Sequence, residues 1–220
     1  DIKKCEADVK LASAINTDSV KNLISIIETN SLPSRVIHFS CDYVFDGENG
    51  NFSETDKPNP KNNYGQTNFL AEKALLASFI DNKIVRTSAV MSKGGVFFDW
   101  LVKSIKEGVE LPMFENVYFT PTPISLLNEI IFHVLTKYEE IPQKIIQIVG
   151  EKKLNRYEFA KQICLMLQEE GANIKSEMAD LKNVPFLKDL SLAQSEFVKK
   201  HQSISFDDYL MREVASAKVH

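Results

Sequence analysis

Segments with helical apolar spacing alternate along this chain with apolar runs that are too short to form helices. Residues 7–29 carry apolar side chains on one helical face, and residues 36–39 follow as a short run that begins with a β-branched side chain. Runs that are apolar throughout are typical of parallel strands buried on both faces. The alternation therefore predicts an α/β fold with a mainly parallel sheet.

The same two patterns continue through the rest of the chain. They predict helices over 67–79, 97–107, 124–138 and 156–170, and strands over 83–86 and 144–149. Asn155 and Glu158 have the spacing of a capping box at the start of the last of these helices. Residues 46–63 are rich in Gly, Asn, Pro and Asp and predict a long loop, which at the end of a strand is more often functional than not.

Composition and charge narrow the class of protein. The chain is 44% hydrophobic and 25% charged, as is ordinary for a soluble globular protein. Its net charge of −4 argues against a nucleic-acid partner or an anionic membrane, and no apolar run reaches the roughly 18 residues that span a bilayer. Cys5, Cys41 and Cys164 lack metal-ligand spacing, and an odd, sparse cysteine count suits a reducing compartment. We therefore expect a cytoplasmic protein without a metal site.

Two blocks of residues carry the functional signal. Residues 40–47 read Ser-Cys-Asp-Tyr-Val-Phe-Asp-Gly, and Tyr64-Gly65 follow the acidic, proline-bearing stretch 54–60. The first block resembles the Ser-Thr-Asp-Tyr-Val-Phe-Asp-Gly of the dTDP-4-dehydrorhamnose reductase family. Further matches in the same order are Cys5-Glu6, Asn16, Glu54, Pro58, Pro60, Glu72, Arg86-Thr87-Ser88, Pro121-Thr122-Pro123 and Ser191-Leu192.

The resemblance implies a fold and a domain organisation. Members of this family are extended short-chain dehydrogenase/reductases, which reduce a 4-keto nucleotide sugar with NADPH or NADH. The implied fold is α/β, a partial Rossmann-type parallel sheet with helices plus a small C-terminal α/β substrate lobe. Residues 1–90 would form the C-terminal part of the dinucleotide-binding domain. Residues 91–220 would form mainly the substrate-binding lobe, interleaved with the Rossmann part.

The resemblance also implies roles for individual residues. Tyr64 takes the place of the general acid, and Asp42 and Tyr43 take places that contact substrate. Family members place a lysine one helical turn after the tyrosine, where its charge lowers the phenol pKa, and this chain has Asn68 there. Cys41 stands where a Ser or Thr hydroxyl would polarise the substrate carbonyl. Tyr64, Cys41 and Asn68 are thus the candidate catalytic residues, and Tyr64 and Asn68 would also face the cofactor.

Two functions remain open from the sequence. Loss of the lysine charge is expected to cost catalysis on the order of 10²-fold. One reading is a reductase of the dTDP-4-dehydrorhamnose type with doubtful activity. The other is a non-catalytic binding or regulatory subunit of the same fold, like the regulatory subunit of methionine adenosyltransferase, which resembles this family too. An epimerase or dehydratase of the same superfamily fits residues 42–47 less well.

The cofactor prediction, NADP or NAD, rests on the resemblance alone. None of the eight glycines forms Gly-x-Gly-x-x-Gly or its looser variant, so the phosphate-binding turn is absent from this sequence. The first strands of the Rossmann domain have no counterpart here either, which would leave an open edge at the strand over 36–39. We expect a part of a longer protein, or a remnant completed by another chain. The expected partners are a nucleotide sugar and a second copy or a partner protein.

Overall fold

The computed structural model describes helices and strands within residues 2–169, 171–184 and 186–218. The helices are α1 Ile2–Ala7, α2 Val9–Ser13, α3 Ser19–Thr29, α4 Asn63–Ala77, α5 Val96–Lys106, α6 Ile124–Thr136, α7 Arg156–Leu167, α8 Glu196–His201 and α9 Phe206–Lys218. The strands are β1 Arg35–Cys41, β2 Asp81–Thr87, β3 Val90–Met91, β4 Leu111–Phe114, β5 Tyr118–Phe119, β6 Thr122–Pro123, β7 Ile145–Gln147, β8 Leu154–Asn155 and β9 Ile174–Glu177. A π-helical turn, Ala14–Asp18, joins α2 to α3, and 3-10 turns occupy Asp42–Val44 and Tyr138–Glu140.

The central sheet is parallel, with strand order β1-β2-β7. Its register aligns Ser40 with Arg86 and Arg86 with Gln147, and it aligns Cys41 with Thr87. The carboxyl ends of β1 and β2 therefore meet at one edge of the sheet. This arrangement confirms the predicted α/β class with a parallel sheet.

Helices cover both faces of this sheet. Ile24 and Ile27 of α3 and Leu75 of α4 pack with Ile84 on one face. The apolar side of α6 packs against Val85 and Ile146 on the other face. A third apolar cluster joins α5, α7 and α9 beside β4, and it forms the larger part of the core outside the sheet.

Most predicted elements agree with the structure to within a few residues. The segment 7–29 is helical except at Asp8, with the π-helical turn inside it. Helix α4 starts four residues before the predicted 67, because the Asn62 side chain accepts a hydrogen bond from the Gly65 N–H (2.8 Å) and caps the first turn. The mixed sequence after 171, where no element was predicted, contains β9, α8 and α9.

The capping box at the start of α7 is confirmed. Asn155 Oδ1 accepts from the Glu158 N–H (2.7 Å), and Glu158 Oε2 accepts from the Asn155 N–H (2.9 Å). The helix ends at Leu167, before the predicted end, because Gln168 takes a left-handed conformation with φ of 63°. Residue 170 lies outside the described residues.

Strand β1 lies at the edge of the described sheet. Within the residues that the structure describes it pairs on one side, with β2. Phe39 of β1 is 49% exposed, and apolar side chains of α2 and α3 are exposed as well. Among the described helices, none combines the length and apolar character needed to cross a bilayer.

Candidate functional site

The candidate site begins where β1 and β2 end. Cys41 is the last residue of β1, Asp42 follows it, and Ser88 follows β2. The Ser88 hydroxyl donates a hydrogen bond to Asp42 Oδ2 (2.6 Å) in a buried setting. Ligands of open parallel sheets bind outside the carboxyl ends of the strands, where this pair lies.

The first turn of α4 brings Tyr64 to the same place. Glu6 accepts hydrogen bonds from the Asn63 N–H (2.7 Å) and the Tyr64 N–H (3.3 Å), so α1 holds the start of the helix. A Cβ on Gly65 would lie 2.0 Å from the Tyr43 carbonyl oxygen, so only glycine permits this close approach. The rings of Tyr43 and Tyr64 meet edge to face, with centroids 5.7 Å apart. Cys41 packs in the same cluster as both rings.

Asn68 does not line the cavity at this site. It is 8% exposed, and its Nδ2 donates to the Tyr64 carbonyl oxygen (2.8 Å) one helical turn earlier. The amide is therefore engaged with the backbone of α4, and it carries no charge that could stabilise a phenolate.

The pKa values of all four acid groups of the site are raised above their ordinary values. The neighbouring Cys41 thiol, burial and the Asp42 carboxylate, in that order, raise the pKa of Tyr64 above its ordinary range. Burial and Asp42 likewise raise the pKa of the Cys41 thiol, and the same two causes raise the pKa of Tyr43. Cys41 is therefore a buried thiol and not a reactive thiolate. Burial raises the pKa of Asp42 to about 6, against the opposing effects of Ser88 and Arg156.

A cavity of about 930 Å³, here called the site pocket, opens over these groups. Its floor is polar and contains Ser40, Cys41, Asp42, Tyr64, Thr87 and Ser88. Its walls are mainly apolar and aromatic, with Ile2, Tyr43, Ala89, Val90, Val96, Phe97, Trp100, Val117, Tyr118, Phe119, Phe186, Leu187 and Leu190. A cavity of this size and character fits a small organic ligand with a few polar anchor points. Arg156, at the first position of α7, completes the described lining.

Four predicted site residues come together here, and two others were missed. Tyr64, Cys41, Asp42 and Tyr43 all line the site pocket, whereas Asn68 is buried and does not line it. Ser88 could have been found from the rule that neighbouring parallel strands end at one edge. Nothing in the sequence near Arg156 links it to Asp42, because only tertiary packing places α7 beside the strand ends. No group of three or more metal-ligating side chains occurs among the described residues.

The described residues supply only part of the site that the dinucleotide cofactor implied by the resemblance would need. The start of α4, with Tyr64, lies at the carboxyl edge of the sheet, where such cofactors bind. Strand β1 continues into the 3-10 turn Asp42–Val44, and β2 is followed by β3, so neither leads through a glycine-rich turn into a helix. The part of the chain that the structure describes thus contains no cradle of this type for the pyrophosphate.

Acidification should relieve a cost that Asp42 imposes on the fold. Because burial raises its pKa to about 6, the folded protein holds the proton more tightly than the unfolded chain does. Stability therefore falls as the pH rises from about 4 to about 6, and the full cost of the buried charge remains above that range. The difference in free energy of unfolding between Asp42→Asn and the parent should shrink by about 2 kcal/mol from pH 7 to pH 4.5. Urea denaturation of both proteins across this range measures it, and parallel pH curves would contradict the burial of an ionisable Asp42.

Comparison with known proteins gives a consistent family. The family model described as "RmlD substrate binding domain" matches residues 1–187. The dTDP-4-dehydrorhamnose reductase of Escherichia coli strain K12 is 35% identical over 137 residues, covering 61% of this chain and 45% of that protein. The probable low-salt glycan biosynthesis reductase Agl14 of Haloferax volcanii is 27% identical over 189 residues, covering 82% and 61%. The chain thus spans 45 to 61% of the length of these two relatives.

A third relative and two solved structures complete the comparison. Methionine adenosyltransferase 2 subunit beta of Bos taurus is 33% identical over 109 residues, covering 50% of this chain and 30% of that protein. A hypothetical dTDP-4-dehydrorhamnose reductase from Sulfolobus tokodaii superposes with a TM-score of 0.80 at 31% identity, covering 95% and 74%. The dTDP-4-dehydrorhamnose reductase of Bacillus anthracis in complex with NADP gives 0.84 at 20% identity, covering 98% and 76%, and supports the fold alone.

Proposed function

The chain belongs to the RmlD substrate binding domain family, and from this premise we propose that it forms the nucleotide-sugar-binding part of a NAD(P)-dependent reductase of the dTDP-4-dehydrorhamnose reductase type. One observation carries the proposal. Tyr64, Asp42 and Ser88 meet at the carboxyl edge of a parallel sheet, on the floor of a cavity of about 930 Å³ whose walls are apolar and aromatic. The free cysteines and the nucleotide-sugar ligand support a cytoplasmic location.

The roles of the floor residues follow from their chemistry. The Tyr64 phenol stays protonated at neutral pH, so its O–H can donate to a developing alkoxide. Asp42, held by Ser88, can accept hydrogen bonds from sugar hydroxyls. The Cys41 thiol, a weak donor on the pocket lining, would lie next to the carbonyl of the substrate. NADPH or NADH would supply the hydride, and the start of α4, with Tyr64, is the part of this chain that we propose faces it.

A second candidate is a non-catalytic binding or regulatory subunit. The observation that favours it is the lack of a charged group that would help Tyr64 to transfer a proton. The Asn68 amide donates its hydrogen bond to the Tyr64 carbonyl oxygen, and the groups around the Tyr64 phenol raise the phenol pKa above its ordinary value. A site that binds a sugar ligand yet transfers a proton poorly fits this arrangement. The likeness to methionine adenosyltransferase 2 subunit beta also supports it.

Two experiments test both candidates. The first is calorimetric titration of the protein with dTDP-glucose, and the second is an assay of NADPH and NADH oxidation with a dTDP-4-keto-6-deoxy sugar. We expect the parent to bind dTDP-glucose. Slow oxidation that Tyr64→Phe abolishes would establish the reductase, because this change removes only the phenolic oxygen. Binding without oxidation would establish the binding subunit. Tyr157→Phe, at a tyrosine away from the site pocket, is the matched control. A parent that binds no nucleotide sugar would refute both functions.

A further inference from the structure

Arg156 is a cation on the wall of the site pocket whose charge has no protein acceptor in the described structure. Its side chain stacks on Phe119, with 3.9 Å from the guanidinium carbon to the ring centroid, and it lies 4.8 Å from the Phe97 centroid. Its backbone N–H donates to the Val117 carbonyl oxygen (3.2 Å), which fixes the start of α7. The guanidinium is therefore held in place by aromatic packing and by the helix start.

The donors of this guanidinium remain available to a ligand. No hydrogen bond or ion pair of its side chain occurs among the described residues, although a guanidinium has five N–H donors in a fixed fork. Burial lowers the pKa of Arg156, while the nearby Tyr43 and Asp42 raise it. The guanidinium is partly exposed to the site pocket, so donors that have no protein acceptor there can reach an anionic ligand. Elsewhere in the core, Arg86 meets Glu72 with two hydrogen bonds, which Arg156 lacks.

The site pocket contains little other charge. Asp42 and Arg156 are the charged residues of its described lining, and burial raises the pKa of Asp42 to about 6, so this carboxylate takes up a proton more readily than an ordinary aspartate does. A ligand oxyanion placed against Arg156 would therefore meet one fixed positive charge, with Asp42 as the other charged residue of the lining, and walls that are apolar and aromatic. Planar or tetrahedral oxyanions match the guanidinium fork with two parallel hydrogen bonds.

Building on the proposed nucleotide-sugar site, we propose that Arg156 is the residue of the site pocket that binds an oxyanion of the ligand. Two parts of a nucleotide sugar carry that chemistry, namely the diphosphate and a carboxylate on the sugar ring. The diphosphate is common to all such ligands, whereas a carboxylate would make Arg156 a selector for acidic sugars.

Titration calorimetry distinguishes the diphosphate from the sugar carboxylate as the group that Arg156 binds. The parent and Arg156→Met are each titrated with UDP-glucose and with UDP-glucuronate. Methionine keeps apolar contact with Phe119 and removes all five donors. If Arg156 binds the diphosphate, both ligands should bind about tenfold or more weakly to the variant. If it binds a sugar carboxylate, the parent should prefer UDP-glucuronate and the variant should lose that preference. Arg212→Met, at an exposed arginine near Tyr209 and outside the site pocket, should leave all affinities unchanged.

Titrations with inorganic pyrophosphate alone and with glucuronate alone test the role of Arg156 independently of the proposed function. If Arg156→Met abolishes binding of either small anion while no nucleotide sugar binds the parent, the oxyanion site stands and the proposed function fails. If nucleotide sugars bind both proteins equally, the function stands and the role of Arg156 is refuted. If the parent binds neither dTDP-glucose nor any of these four ligands, both are refuted. Arg156→Lys, which keeps the charge and loses the fork, should retain part of the affinity and serves if the Met variant fails to fold.

Discussion

Replacing Asn68 with lysine should lower the pKa of the Tyr64 phenol by about one to three pH units and raise NADPH-dependent turnover on the order of 10²-fold. The side chain at 68 lies one helical turn after Tyr64 and one turn before Glu72, so all three share one face of α4. The amide of Asn68 now donates to the Tyr64 carbonyl oxygen and contributes no charge. A lysine ammonium would stabilise the phenolate electrostatically and oppose the effects of Cys41 and Asp42.

Titration of ¹³C-labelled tyrosine by NMR reports the phenol pKa, and oxidation of NADPH reports turnover. Asn68→Met is the matched control, because it fills similar space without a charge. This variant should neither lower the phenol pKa nor raise the turnover. A parent that turns over as fast as the lysine variant would contradict the role assigned to the missing charge. An unchanged phenol pKa in the lysine variant would show that position 68 does not act on Tyr64.

Replacing Arg86 with methionine should destabilise the protein by about 3–5 kcal/mol. Arg86 on β2 is 1% exposed and Glu72 on α4 is fully buried. Arg86 Nε and Nη2 donate to the two Glu72 carboxylate oxygens, at 2.9 and 2.7 Å. Without Arg86, Glu72 becomes a buried charge with no partner, or it must take up a proton. The same pair fixes α4 against the sheet, so we also expect weaker ligand binding beside Tyr64.

The free energy of unfolding in urea measures this effect, and two further variants interpret it. Lys103→Met removes one partner of an exposed pair with Glu107 on α5, and it should change stability by less than about 1 kcal/mol. The double variant Arg86→Met with Glu72→Met should recover much of the loss, because an apolar pair replaces two buried charges. A single Arg86→Met variant as stable as the parent would show that the pair does not hold α4 in place.

The element order was accessible from the sequence because local patterns govern it. The helical spacing over 7–29 and the apolar run at 36–39 produced a helix and a parallel strand close to their predicted limits. The capping box at Asn155 was predictable from the sequence because both of its hydrogen bonds join residues that are three apart in the chain. The start of α4 was placed too late, since Gly65 is a poor helix former and the Asn62 cap lies in a proline-rich loop.

The family and four of the lining residues could be identified from the sequence alone, because motif and spacing are properties of the chain itself. The motifs that identified them are residues 40–47 and 64–65, with the ordered matches around them. Three things depended on the tertiary structure. These are the engagement of Asn68 with the helix backbone, the protonation states of the buried floor residues and the position of Arg156 against Phe119. Each depends on burial and on contacts between residues distant in sequence, and a side chain's charge and available donors are set by those surroundings.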